Sequence, residues 1–512
     1  MGKFKDHSYD QKVFIPVSFS DQVLPGTFEY TLNHVVDNEL DLSVFHDRFK
    51  NDENGAPAYD PAILLKIILY AYSRGIVSSR EIARLCRENV VCMALSADSH
   101  PHFTTIANFI STMDKEIAPL ITQILSVCYA NHVIGGNMFA IDGCKITSNC
   151  SKEWSGTKGE LFKKAKKIDE SIRYLLTKHR EADKNTYNES QEEKEKASIE
   201  KLKAKSQKIR EWLSENDEKL GVQGKPIKSN ITDNESAKMS SSHGVIQGYN
   251  GIAAVDEKHQ LIVWAEAFGD STESQHFPDI LAGIKTNFSD IGASDDIFDE
   301  AVVTADSGFH SNKNMQLILE NDITAFVADN QFRKRDVRFD SAQEHKKKRV
   351  ENWKPVKGKK YFSADEFTYD ERCGRLICPA GFAMRVKCRN LQSSGYTGVA
   401  YIGERKNCRS CSLRSRCIRK ATTAARQVMK LDGVCGDWKI SYTEQMKRIF
   451  DKPESRSIYS KRMGTVEPVF GNIRSTLGLD RFTLRSKKKV NVQWLLFCMV
   501  HNIGKIQKYS KA

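Results

Sequence analysis

Apolar residues recur at helical spacing from Asp60 onward. Ile63, Leu64, Ile67, Ile68 and Ala71 mark one face, after an Asp60-Pro61 start that supplies an N-cap and a first-turn proline. Gly75 ends that helix. The next run opens on Ser78, with Glu81 completing a capping box, and carries Ile82, Leu85 and Cys86 on its apolar face. After a break over 96–101, Thr104 or Thr105 caps a helix through Ile106, Phe109, Ile110 and Met113. Short helices with tight breaks fit a helix-turn-helix-like unit or a plain helical bundle, and spacing alone favours the bundle.

The period changes at Gly135-Gly136. Met138–Ile141 is a short apolar run ending in Asp142, which reads as a buried strand with a carboxylate at its C-terminal end. Residues 158–220 differ in kind, with 17 basic and 14 acidic residues and sparse apolar positions such as Leu161, Ile168, Ile199 and Leu213. They predict a charged helical hairpin turning over 185–190, more simply a solvated spacer than a DNA-binding arm. After Gly221, Gly248–Val255 and Leu261–Phe268 flank Asp256–Gln260 as a β-hairpin. A helix fits Ser274–Thr286. Ala301–Ala305 is a second apolar strand ending in an aspartate, Asp306, and Ile323–Ala328 is another, with a helix around Asn312–Glu320 between them. This alternation predicts an α/β core with covered parallel strands. A final helical section starts near Met463 and resumes at Val490–Ile506.

Composition narrows the class. The 512 residues are 40% hydrophobic and 28% charged, which excludes a mainly disordered or collagen-like chain. At roughly 150 residues per domain the length allows about three domains. The best apolar stretches, Ala62–Tyr72 and Val492–Val500, fall short of the about 20 residues that a spanning helix needs, so no membrane association is expected. The first ten residues lack the apolar core of a signal peptide, and a cytoplasmic protein is expected. The net charge is +13, and from Lys461 to Ala512 there are 11 Lys/Arg against Glu467 and Asp480. Such a segment, with Lys487, Lys488 and Lys489 in a row, suits a polyanion, above all nucleic acid; a solvated surface is the alternative.

The candidate chemistry begins with Asp142 and Asp306, each at the end of an apolar strand. Strand propensity does not explain an aspartate there. Two on neighbouring strands would crowd negative charge unless a cation sat between them, and hard divalent ions are bound by such carboxylates together with phosphate oxygens. The simpler alternative for each is a turn former or N-cap. Glu467 is a third candidate, in Tyr459-Ser-Lys-Arg462-Met-Gly-Thr-Val-Glu467, with Arg474 seven residues on. On a helix Glu467 and Arg474 share a face, either as a carboxylate and cation for metal and DNA or as an ordinary surface pair.

Six of the 13 cysteines fall between Cys373 and Cys417: Cys373, Cys378, Cys388, Cys408, Cys411 and Cys417. Cys408-x2-Cys411 has the spacing of a zinc knuckle, and Cys378-Pro-Ala-Gly reads as a tight turn beside a ligand. A structural Zn²⁺ on Cys408, Cys411, Cys417 and either Cys378 or Cys373 is expected; reduced, packed thiols are the alternative. Arg405–Lys420, with seven Lys/Arg, adds a second basic patch. No G-x4-G-K-[ST], H-E-x-x-H or G-x-S-x-G motif occurs, so no nucleotide cofactor is expected.

The order strand-Asp142, hairpin, strand-Asp306, long insertion and helix-Glu467 in YSKRMGTVEPVFGNIR resembles the DDE transposases of bacterial insertion sequences. DPAILLKIILYAYSRGIVSSREIARL is similar to that family's transposase-associated N-terminal domain, and IDGCKI, QGYNGIAAVD, VVTADSGFHS and VHNIGKI extend the likeness over most of the chain. The resemblance implies an RNase H-like catalytic core with a helical N-terminal domain, a helical-hairpin insertion and a cysteine-rich insertion. It implies a Mg²⁺ (or Mn²⁺) triad of Asp142, Asp306 and Glu467 that cleaves and transfers DNA strands at terminal inverted repeats. It also implies double-stranded element and target DNA as partners and a homodimer on DNA. The other readings are an inactive end-binding regulator and a nuclease without strand transfer. Some relatives carry a tyrosine–arginine–glutamate–lysine signature; here Tyr459 and Arg462 keep its first spacing, four residues separate Arg462 from Glu467, and Arg474 stands in for the lysine. With Arg462, Arg474 and Lys487–Lys489 assigned to DNA, the expected organisation is 1–134 helical DNA-binding, 135–157 and 221–331 catalytic core, 158–220 helical hairpin, 332–458 basic cysteine-rich insertion and 459–512 C-terminal catalytic helix region.

Overall fold

In the computed structural model, the structure describes residues 18–48, 57–182, 189–221, 224–241, 244–339, 361–362, 364–370, 374–393, 396–420, 422–431 and 442–510. Most of the predicted hairpin turn, the basic run Lys346–Arg349 and Cys373 lie outside the described residues. The chain forms two compact units: one of residues up to 309 with 323–325 and 460 onward, the other of 310–322 and 326–459.

The first unit opens on helices α1 (Phe28–His34), α2 (Pro61–Ser73), α3 (Ser79–Glu88), α4 (Val90–Leu95), α5 (Phe103–Thr112) and α6 (Ile117–Ala130). The Asp60 carboxylate accepts from the Ala62 amide at 2.8 Å and Pro61 occupies the first turn, as the sequence predicts. Two other cap expectations fail. Ser78 precedes α3 but its side chain makes no cap hydrogen bond. His102 caps α5, its ring nitrogen accepting from the Thr104 amide, because extended backbone at His102 places both threonines inside the helix.

The sheet comprises β1 (Met138–Thr147), β2 (Ala237–Ser241), β3 (Gly244–Asp256), β4 (Ile262–Phe268), β5 (Val302–Ala305) and β6 (Ala325–Val327, of which Ala325 belongs to this unit), in the order β2-β3-β1-β5-β6 with β4 also on β3. The expected covered parallel sheet is instead mixed. Strand β3 runs antiparallel to β1, β2 and β4, and β5 runs parallel to β1. The hairpin connection is short enough to force the antiparallel pair, whereas the helix α9 (Phe277–Asp290), before β5, supplies the crossover that a parallel strand needs. The charged segment forms helices α7 (Lys158–Ala182) and α8 (Glu189–Glu215), zipped at their base by Leu161, Ala165, Ile209, Trp212 and Ile231.

Two C-terminal helices close the unit: α10 (Pro453–Gly471), whose residues from Ser460 belong to it, and α11 (Lys487–Tyr509). Helix α11 is buried on several sides, with Val490, Ile506 and every residue from 492 to 503 out of solvent. Tyr72 of α2 stacks on Phe497 at 4.7 Å, and Asn502 exchanges hydrogen bonds with the Ile262 amide (3.0 Å) and carbonyl (2.8 Å) on β4. Trp494 lies flat on Gly251, where a Cβ would come within 3.1 Å of the indole ring. Glycine lets the ring approach without displacement.

The second unit holds a five-stranded antiparallel sheet of Thr368–Asp370, Arg375–Ile377, Ala383–Ser393, Tyr396–Ile402 and Gln427–Leu431 around Phe367, Leu376, Met384, Tyr401 and Val428. Among the described residues no helix is long and apolar enough to cross a membrane.

Candidate active site

The parallel register of β1 and β5 pairs Met138 with Val302 and Ile141 with Ala305. The next residue on each strand is an aspartate. Asp142 and Asp306 therefore stand side by side, as neighbouring strands lie about 4.8 Å apart. One detail differs from expectation. Strand β5 does stop before Asp306, but β1 continues to Thr147 on its β3 side, so Asp142 sits inside a strand, at the point where its other neighbour ends.

Arg462 of α10 reaches this pair. Its Nη1 donates to Asp142 Oδ2 at 2.6 Å, and its Nη2 lies 3.7 Å from Asp306 Oδ1. Arg462 points inward because it shares the buried helix face with Val466, Val469 and Ile473. The side chain of Arg462 is 7% exposed, that of Asp142 21% and that of Asp306 42%, so the pair grades from buried to open. The second Asp142 oxygen accepts from the Gly143 amide at 2.8 Å. Burial pushes the Asp142 carboxyl above its ordinary range, Arg462 and the Gly143 amide pull it back, and Asp306 adds a smaller upward push.

A fourth charged group escaped the sequence reading. Glu273, in the loop between β4 and α9, accepts at Oε1 from the Asn250 amide nitrogen at 2.9 Å. A Cβ on Gly143 would lie 3.1 Å from its Oε1, and one on Gly308 3.1 Å from its Oε2. The carboxylate thus fits over the glycine that follows Asp142 and the glycine just past Asp306. Burial raises the Glu273 carboxyl, the Asn250 bond lowers it, and Asp142 and Asp306 raise it again. Asn250 is buried, and its side-chain oxygen has no hydrogen-bond partner. The legible clue was the pair of glycines beside the aspartates, not Glu273 itself.

Glu467 lies elsewhere on α10. Five residues beyond Arg462 it has turned about 140° around the helix; it is exposed and makes no hydrogen bond or ion pair among the described residues. Pro468 follows it inside the helix and has no N–H for the Gly464 carbonyl, which accepts instead from Gln260 Nε2 at 2.9 Å. Among the described residues no three His, Cys, Asp or Glu side chains converge closely enough to hold a metal ion. The structure thus unites Asp142, Asp306, Glu273 and Arg462, and leaves Glu467, on the same helix as Arg462, exposed and apart from them.

The remaining predicted residues divide. Arg474 is exposed, in a π-helical turn Asn472–Thr476 that interrupts the α-helical count from Glu467. Tyr459, in the second unit, is buried edge-on against Phe332 (5.7 Å) and Phe450 (4.9 Å). Lys487 is held 2.8 Å from Glu266 and over the Phe268 ring, Lys488 lies 3.7 Å from Asp114, and Lys489 is exposed.

In the second unit Cys378, Cys408, Cys411 and Cys417 line one small apolar pocket. Cys378–Gly381 forms the expected tight turn, the Gly381 amide donating to the Cys378 carbonyl at 2.8 Å with Gly381 at φ 80°. Burial raises the Cys417 thiol, Arg426 opposes this, and the other three sulfurs raise it further. Cys388 is exposed on its strand.

Comparison with known families matches residues 377–507 to the Transposase DDE domain and residues 17–112 to the Transposase domain (DUF772). Over these two stretches the chain is similar to the DDE transposases of insertion sequences. Glu467, Arg462 and the four pocket cysteines lie inside the first match; Asp142, Glu273 and Asp306 lie between the two. No curated protein matches the chain.

Proposed function

We propose that this protein is a transposase that cleaves and joins DNA strands at the terminal inverted repeats of its element, using Asp142, Asp306 and Glu467 with Mg²⁺ or Mn²⁺. The observation that carries the reading is the β1–β5 register, which sets two aspartates abreast beside a buried guanidinium. Carboxylate oxygens on adjacent strands, with a cation already drawn between them, are the donor set a hard divalent ion takes. When bound, such an ion makes water a nucleophile near neutral pH and stabilises charge on the phosphate oxygens. The order of strands, with an antiparallel trio on one side of β1 and a parallel strand on the other, supports an RNase H-like core.

Within that reading Asp142 and Asp306 would hold the ion. Glu273, seated by Asn250, shields the protein side of the pair. Glu467 completes the triad from α10 once DNA is engaged. Cleavage breaks a phosphodiester P–O bond and forms one to water, leaving a 3′-hydroxyl. Transfer forms a P–O bond from that hydroxyl to target phosphorus and expels the target 3′-oxygen. Arg474 and Lys489 supply salt-dependent phosphate contacts, and two ends require a dimer on DNA. Cys378, Cys408, Cys411 and Cys417 would hold a structural Zn²⁺ by closing in on it: they line one pocket, without being drawn together as a metal cluster in its absence.

Purified protein incubated with its own element ends and Mg²⁺ or Mn²⁺ should cleave and join them. Binding without product under both metals would favour the inactive end-binding regulator, and cleavage without joining a simple nuclease.

A further inference from the structure

Two carboxylates abreast repel each other unless a cation stands between them. Here the chain supplies that cation itself. Arg462 gives one Nη to each aspartate, at 2.6 Å and 3.7 Å, from a side chain 7% exposed. Asp142 has no oxygen without a donor, Oδ1 taking the Gly143 amide and Oδ2 the guanidinium. A guanidinium and a divalent ion cannot both hold the same carboxylate edges, since their charges repel. This occupancy fits the finding that no three acidic side chains converge among the described residues. The backbone beside Arg462 is anchored, the Gly464 carbonyl being held by Gln260.

We propose that Arg462 is the resident cation of the site, and that its release from Asp142 and Asp306 to a DNA phosphate makes divalent-metal binding and DNA binding mutually dependent. This rests on the proposed function of the aspartate pair and adds its regulation. Arginine suits the exchange, because its planar fork pairs as readily with phosphate as with carboxylate. Without DNA, Arg462 competes with the ion. With DNA, a phosphate takes the guanidinium and the aspartates open to the ion. Linkage makes the effect reciprocal: the ion must strengthen DNA binding by the same factor.

The test is a Mn²⁺ titration of the full chain, followed by the electron paramagnetic resonance of free Mn²⁺, with and without a short duplex of arbitrary sequence. Wild type should bind Mn²⁺ weakly alone and at least about tenfold more tightly with duplex, the scale of coupling between close charges. Arg462→Met should bind Mn²⁺ at least about tenfold more tightly than wild type without DNA, and gain little from duplex. Arg462→Lys keeps the charge but cannot span both carboxylates, and should fall between. A folded Arg462→Met or Arg462→Lys that binds Mn²⁺ no tighter than wild type overturns the proposal. So does wild-type affinity that duplex leaves unchanged, a result that needs no variant. Asp142→Asn separates the two layers. If it binds Mn²⁺ as wild type does, the aspartate pair is not the metal site and the functional reading fails. If it loses Mn²⁺ while Arg462→Met gains none, only the role of Arg462 fails.

Discussion

Arg462 donates to Asp142 at 2.6 Å although 320 residues separate them in sequence. A buried pair of this kind adds little net stability when intact but is costly to break from one side, because the remaining charge is left without a partner. The contact therefore ties the C-terminal helix α10 to strand β1 and sets the electrostatics of the candidate site at once.

Asp142→Asn and Asp306→Asn each remove a carboxylate proposed to hold the ion while keeping a side chain of the same shape. Cleavage of element ends should fall at least about a hundredfold in either. Duplex binding, measured by a gel or anisotropy titration, should persist. Retained cleavage in both would contradict the assignment.

Gly143 is placed where a side chain has no room. A Cβ there would sit 2.8 Å from Asn250 Oδ1 and 3.1 Å from Glu273 Oε1. Gly143→Ala should destabilise the fold by about 1–3 kcal/mol, the cost of overpacking, as read by urea unfolding. Glu273→Gln, which fits the space but removes the charge, should leave stability within about 1 kcal/mol and weaken Mn²⁺ binding if Glu273 shares in the field that holds the ion.

His501 gives a pH dependence of known sign. It is buried on α11, with Nδ1 3.0 Å from Asn472 and Nε2 2.8 Å from the Gln260 carbonyl, an arrangement that suits the neutral ring donating from Nε2. Burial pulls its pKa down to about 4, against about 6.5 in an unfolded chain. The unfolded state therefore binds the proton first. His501 favours the folded state fully above pH ~6.5, and that contribution declines as pH falls towards ~4, by up to about 3 kcal/mol. In His501→Gln the fall in stability between pH 7 and 4 should be smaller; an unchanged slope would contradict the assignment.

The cysteine pocket predicts bound zinc. Metal analysis of purified protein should return about one Zn²⁺ per chain, and Cys408→Ser or Cys411→Ser should lower both zinc content and thermal stability. Zinc well below one per chain would mean that the four thiols are simply packed.

The legible parts of this protein were those that local chemistry dictates. Asp60-Pro61 started its helix, the apolar runs before Asp142 and Asp306 became strands, and the Cys378–Gly381 turn formed as its glycine required. Register was not legible. Nothing local tells Met138–Ile141 to pair parallel with Val302–Ala305, or that β1 would run on past Asp142 along β3. Glu273 was missed because a glutamate in a polar loop has no periodic signature; only the fold carries it to the glycines beside the aspartates. Arg462 and Glu467 lie five residues apart on one helix, and sequence motif alone did not reveal that the first turns inward while the second faces solvent.

The central claim is that Asp142, Asp306 and Glu467 meet around bound metal on DNA. Fe²⁺ substituted for Mg²⁺ in the protein–DNA complex, then exposed to ascorbate and peroxide, cuts the polypeptide backbone where the ion sits. The account predicts fragments ending near residues 142, 306 and 467, all lost in Asp142→Asn. Cuts confined to other segments, or absent from either aspartate strand, would contradict it.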